Sequence, residues 1–325
     1  MRVTFINRYP TEGCFSFEEL FENIKRSFPK SVSRNDFSPN PSKNLLANVL
    51  AAKRLDGDIF HITGGVNYLA IFLDGNRTVL TVHDIGHYTE TLKGIKRAIY
   101  GLLWFSLPLW KVAYVTTVSN KTKEELLRNF CVPPEKVHVI PNCHPVDYTY
   151  APKYFNEGTP RILQVGTAFY KNINRLIEAV RGLSCKLVLV GTLSLDTTEK
   201  LREYGVEYEH YFSLSHDEIH EQYLLCDMVT FASIGEGFGL PIIEANALGR
   251  PVVTSNISSM PEVAGNAACL VDPLSVESIR HGIERVIRDR EYREILIRNG
   301  LENSKRFSPE RVAAMYLEVY EEMRH

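Results

Sequence analysis

Two carboxylates, Glu236 and Glu244, bracket the stretch GEGFGLPIIE, in which Gly235, Gly237 and Gly239 leave the backbone bare and Pro241 can begin a helix. Glycines at this spacing let backbone N–H groups approach an anion, and a helix starting behind them adds unpaired amides and the positive end of its dipole. The turn is therefore suited to phosphate. It is not a Walker loop, because no Lys-Ser or Lys-Thr follows, and Ile242 stands where a dinucleotide fingerprint needs its last glycine. A carboxylate beside a diphosphate is repelled, so the two glutamates more naturally accept hydrogen bonds from hydroxyl groups flanking it. A ligand with hydroxyls on both sides of a diphosphate is a nucleotide sugar. Taken on spacing alone, Glu236 also reads as a solvated loop residue, and Glu244 as a first-turn glutamate complementing the helix dipole.

Further chemistry-bearing residues lie after apolar runs elsewhere. Lys171, in TAFYKN, follows the run beginning at Arg161, in a loop at the carboxyl end of a predicted strand; its plainer reading is a surface lysine at a helix start. His83-Asp84 closes the run from Thr78, where an imidazole can donate to a sugar hydroxyl or share a proton near neutral pH, or simply cap the strand. His87, four residues on, reads equally as a loop residue. Gly13, in Tyr9-Pro-Thr-Glu-Gly13, marks a plain turn after the first run.

The elements that must hold these groups follow from the alternation of short apolar runs with amphipathic segments, the pattern of βαβ units on parallel sheets. It predicts strands over 2–7, 58–63, 78–84, 112–119 and 137–142, with helices over 17–28, 43–55 and 121–130. The alternation breaks over 141–160, which holds four prolines, and restarts with strands over 161–165, 186–190, 228–232 and 252–254 and helices over 172–183, 216–226 and 240–248. Helix dominates from Ser275 onward, and Ser308-Pro309-Glu310 reads as the start of a last helix. Two doubly wound α/β domains in tandem result, as expected for 325 residues. In such sheets ligands bind at the carboxyl ends of the strands, where GEGFGLP, Lys171 and His83 all fall.

A net charge of −2 gives no general nucleic-acid binder. The six cysteines are dispersed without metal-ligand spacing, so free thiols in a reducing compartment are expected, and no metal site. The N-terminus lacks the basic and long apolar regions of a signal peptide, which makes the cytoplasm the expected location.

The motifs VGTAFYKNINRLIEAV, HDEIHEQYLLCDMVTFAS, GEGFGLPIIEANALGRPVVTSN and MPEVAGNAACLVDP, in that order from Arg161, resemble the GT-B nucleotide-sugar glycosyltransferases of family 4, whose signature is E-x7-E around GFGLP. In the first half TVHDIGHY, VTTVSNKTKEEL and VIPNCHP carry a thinner resemblance. The resemblance implies two Rossmann-like domains facing across a cleft: 1–148 binding the acceptor, 149–307 binding the nucleotide sugar, and 308–325 as a helix crossing back. It implies a retaining, metal-independent hexosyltransferase without cofactor. The donor would be UDP- or GDP-linked, and the acceptor a saccharide or lipid-linked saccharide of bacterial-type polysaccharide or glycolipid assembly. Its implied catalytic residues are His83, Lys171 and Glu236. Gly166, Lys171, Asn172, Gly237, Phe238, Gly239 and Leu240 would bind the donor, with Glu236 on its sugar, Glu244 on its ribose and Gly13 near acceptor or diphosphate. The loop before Lys171 departs from the pattern, carrying Phe169-Tyr170 where many relatives have an arginine. A nucleotide-sugar epimerase and a catalytically silent nucleotide-sugar-binding protein are the rival readings on this scaffold.

The run from Ala98 to Trp110 (AIYGLLWFSLPLW) falls short of a membrane span. Lys93, Lys96 and Arg97 beside Trp104 and Trp110 match what a bilayer surface attracts, so peripheral association with the inner membrane surface is one expectation. A helix packed on the sheet is the other.

Overall fold

Aliphatic and β-branched runs become parallel strands because the helices between them cover both faces of each sheet, so that strand residues pointing either way are buried. The computed structural model describes residues 1–9, 16–40, 42 and 44–324, with the backbone alone for Ser16 and Phe17. Gly13 lies outside the described residues. The chain divides into two units, Met1–Cys143 with Pro309–His325, and His144–Ser308.

The first unit holds β1 (Arg2–Ile6), β2 (Ser33–Phe37), β3 (Ile59–Ile62), β4 (Thr78–Val82), β5 (Tyr114–Thr117) and β6 (Val137–Val139). They form one parallel sheet in the order β2-β1-β3-β4-β5-β6. Alternate residues feed two cores. Ile6, Ile62 and Leu80 pack with Leu69, Phe105 and Leu109 on one face. Val3, Phe5 and Ile59 pack on the other with Phe21 and Ile24 and with Tyr316 and Tyr320 of the helix Pro309–Glu322. That helix is also fixed by a buried polar chain. The His61 imidazole reaches the Tyr320 hydroxyl at 2.5 Å and the Thr81 hydroxyl at 2.7 Å, and Thr81 meets Thr116 at 2.7 Å.

The second unit holds β7 (Arg161–Val165), β8 (Lys186–Val190), β9 (Tyr208–Tyr211), β10 (Met228–Phe231), β11 (Val252–Ser255) and β12 (Cys269–Val271). Its parallel sheet runs β12-β11-β10-β7-β8-β9. The chain begins in the middle, at β7, winds out to β9, then returns to β10 on the other side. The gap between the carboxyl ends of β7 and β10 is therefore the topological switch point, where a crevice opens for ligands in this architecture.

Three strands are absent from the sequence-based expectation: β2, β9 and β12. Each is an edge strand. β2 (SRNDF) is largely exposed and β9 (YEHY) alternates exposed and half-buried residues, so neither carries the apolar run that marks a central strand. β12 is only three residues long. The helix starts expected at 43 and 172 shift to Leu45 and Ile173, where Asn44 caps the first helix and a left-handed Asn172 precedes the second.

Candidate functional site

β7 ends at Val165 and the chain turns at Gly166, whose φ of 85° is open to glycine and strained for other residues. A side chain there would also meet Lys171, since a Cβ would lie 2.9 Å from Lys171 Cε. Lys171 ends a short 3-10 turn, Phe169–Lys171, and Asn172 follows with φ 61°. The buried Asn172 amide donates to Ala232 O at 2.9 Å and to Pro273 O at 2.7 Å, while its carbonyl oxygen accepts from Arg175 at 2.9 Å. Ile234 N donates to Tyr170 O at 2.8 Å. These bonds staple the loop after β7 to the loop after β10, so Lys171 and GEGFGLP are brought together.

Their charges meet directly. Lys171 Nζ lies 2.7 Å from Glu236 Oε1, with 15% and 12% of the two side chains exposed, as an ion pair whose atoms are not aligned as a hydrogen bond. Aromatic faces hold the ammonium from other sides, Phe231 at 4.5 Å and Tyr170 at 5.3 Å to the ring centres. Tyr170, in the loop itself, therefore supplies one of the rings around Lys171.

The GEGFG turn is fixed from β11's side of the sheet. Glu236 N donates to Ser258 Oγ at 3.2 Å, and Ser259 Oγ lies 3.0 Å from Glu236 O and 2.6 Å from Phe238 O. Gly239, at φ 123° and ψ 55°, redirects the chain into the helix Leu240–Leu248, which has Pro241 in its first turn and no side-chain cap. The first amides of a helix lack intrahelical partners, so an end without a side-chain cap is suited to ligand oxygens. One turn further in, Glu244 Oε2 accepts from the Tyr223 hydroxyl at 2.5 Å. Burial first, and the Glu244 charge second, push the Tyr223 phenol well above its ordinary pKa, so it stays a donor. Ser258, Ser259 and Tyr223 were missed from sequence: the serines lie in an ordinary loop, and Tyr223 sits on the buried face of the helix His216–Leu225.

His83 belongs to the first unit, directly after β4. Its Nε2 lies 2.7 Å from Thr63 O, and since a carbonyl only accepts, that nitrogen carries the proton. Burial is the largest influence on its pKa and lowers it, with the Thr63 bond opposing. The ring is thus neutral and its Nε2 proton is committed to a carbonyl. It packs on Gly64, where a Cβ would lie 2.8 Å from the ring, so Gly64 and Gly65, at φ 122° and 75°, form a paired-glycine turn that the sequence reading passed over. Asp84 accepts from Gly86 N, and His87 packs edge-on against Tyr100 at 5.2 Å. Trp104 is tucked inward, donating to Gly65 O at 3.3 Å and stacked on Tyr100 at 5.0 Å, whereas Trp110 is exposed. Lys93 and Lys96 are exposed, and the Arg97 guanidinium lies 4.5 Å over the Tyr88 ring. Among the described residues, no group of three or more His, Cys, Asp or Glu side chains is arranged to hold a metal ion.

Residues 150–303 match the family profile described as glycosyl transferases group 1, and residues 2–148 match that of glycosyltransferase family 4. The chain is 29% identical to MMP alpha-(1->4)-mannosyltransferase of Mycolicibacterium hassiacum, over 94% of this chain and 78% of that one. It is also 29% identical to O-antigen chain mannosyltransferase B of Escherichia coli, over 75% of this chain and 70% of the relative. Among solved structures, Anabaena HepE in complex with UDP and glucose superposes with a TM-score of 0.77 at 16% identity, covering 98% of each chain, a likeness of fold.

Proposed function

The chain belongs to the GT-B glycosyltransferases of family 4 type, and from that premise we propose a retaining, metal-independent transfer of a hexose to a saccharide acceptor. It is a nucleotide-sugar glycosyltransferase of polysaccharide assembly. The observation that carries the finer reading is the meeting of Lys171, Glu236 and the start of the helix Leu240–Leu248 at the switch point between β7 and β10.

In this reading the diphosphate lies against the amides of Phe238, Gly239 and Leu240 and draws the Lys171 ammonium to itself. Charge grows on the diphosphate as the glycosidic bond breaks, so a fixed cation and oriented amides stabilise the transition state more than the bound donor. Glu236, released from Lys171, accepts from the sugar hydroxyls and orients the ring. Glu244, steadied by Tyr223, accepts from the ribose. In the first unit the His83 Nε2 proton is already held by Thr63 O, which argues against its serving as a proton donor. The names of the relatives support a mannosyl donor. The dispersed cysteines support a cytoplasmic site of action.

The test is thermal-shift screening with UDP-glucose, GDP-mannose and their free nucleotides, followed by transfer assays with the one that raises the melting temperature. Lys171→Ala is expected to lower kcat by about 10²–10³-fold, the usual loss for one group stabilising developing charge. Glu236→Ala should remove transfer with the fold intact. Full activity in both variants would overturn the assignment, and an isomerised sugar from donor alone would replace it with epimerisation.

A further inference from the structure

The segment from Gly94 to Lys111 is apolar on both of its sides. It runs as the helix Gly94–Tyr100, a stretch of π-helical turns over Gly101–Ser106 and the helix Leu107–Lys111. Its inner side buries Gly101, Phe105, Pro108 and Leu109. Its outer side exposes Ile95, Ile99, Leu102 and Trp110, with Ile95 77% and Trp110 78% open to solvent. A helix apolar all round normally lies in a core or in lipid; this one has a core on one side only, and no helix among the described residues is long and apolar enough to cross a membrane.

Neighbouring elements widen the face. The turn Asn67–Phe72 packs against Gly101–Ser106 and Leu107–Lys111, and the helix Leu45–Ala52 packs against that turn. They expose Phe72, Leu45, Leu46 and Leu50, with Leu46 66% open. The charge on these elements has one sign. No Asp or Glu occurs between Lys93 and Lys111 or between Leu45 and Arg54. Lys53 lies with its ammonium 5.8 Å over the Phe72 ring, and Lys93, Lys96 and Lys111 are exposed on the same elements.

We propose that this face seats the protein on a bilayer surface containing anionic lipid. The isoleucines, leucines and Trp110 enter the boundary between headgroups and acyl chains, and the lysines meet headgroup phosphates. Charge decides against a second copy of the chain, since face-to-face pairing would set these lysines against one another. Trp104 takes no part, because its indole N–H is spent on Gly65 O and its ring on Tyr100. The inference does not depend on the chemistry of transfer.

Flotation of the full chain with vesicles tests it, using pure phosphatidylcholine and mixtures with phosphatidylglycerol, at low and high salt. The expected result is binding to the mixtures that weakens with salt. The triple variant Ile95→Ser, Ile99→Ser, Trp110→Ser should lose about tenfold or more of that binding. Lys93→Gln with Lys96→Gln and Lys111→Gln should lose the preference for anionic lipid. All six positions are on the surface, and an unchanged melting temperature confirms folding. No flotation of the wild type at low salt, or undiminished flotation of the triple variant, would overturn the proposal. So would a dimer in solution that the triple variant converts to monomer.

Discussion

Lys171 and Glu236 neutralise each other at 2.7 Å, and a nucleotide sugar would exchange that pair for two better-matched partners, a diphosphate for the cation and hydroxyls for the carboxylate. Both residues were legible in the sequence because charges among glycines after an apolar run are conspicuous. Tyr223 was not, since a tyrosine at helical spacing looks like any core aromatic until folding sets its hydroxyl 2.5 Å from Glu244. Its role gives a residue-scale expectation. Tyr223→Phe keeps the ring in the core and removes the donor, leaving a partly buried carboxylate short of a hydrogen bond, at about 1–3 kcal/mol. Urea unfolding should register that loss. If Glu244 holds the ribose, the donor KM should rise several-fold while kcat changes little, and a fall in kcat alone would move Glu244 away from ribose binding.

At the scale of elements, central strands were legible, and of the four edge strands only β6 was. β7 and β8 match their expected limits because both sides of each strand are covered by helices, so that Leu187, Val188, Leu189 and Val190 read as a continuous apolar run and Ile162, Leu163 and Val165 are broken only by the buried Gln164. β2 is exposed on both faces and β9 on one, and both take polar residues, so their pairing is decided by the sheet beside them. The turn from β10 into the helix Leu240–Leu248 was legible for the same reason it is fragile. Gly239 holds φ 123°, and a Cβ there would come within 3.1 Å of Ile242 Cδ1 and 3.4 Å of Phe231 Cε1. Gly239→Ala should therefore destabilise the second unit by about 1–3 kcal/mol, the usual strain of a disfavoured backbone region. If the helix start holds the diphosphate, the substitution should also turn it away from that ligand. A lowered urea midpoint together with weaker nucleotide binding is expected, and a variant as stable as the wild type would show that the turn relaxes without strain.

For the molecule as a whole, the chain leaves the first unit at Cys143 and re-enters it at Pro309, so the first sheet is completed by the last helix. The polar chain that receives this helix was invisible in the sequence, because the two residues that join it to the helix, His61 and Tyr320, stand 259 residues apart. His61 is fully buried, and burial, reinforced by the nearby His83, lowers its pKa from the ordinary 6.5 to about 3. Burial lowers that of His83 as well. A histidine whose folded pKa lies below its unfolded value takes up its proton mainly on unfolding. Its contribution is thus fully present above about pH 6.5 and is lost as pH falls toward the folded pKa. Each such proton steepens the loss by about 1.4 kcal/mol per pH unit. The urea midpoint should accordingly fall between pH 6.5 and pH 5. His61→Asn, although less stable at pH 7 through its lost bonds to Tyr320 and Thr81, should show a shallower fall by about one proton's worth. An equally steep fall in that variant would assign the acid sensitivity to groups other than His61.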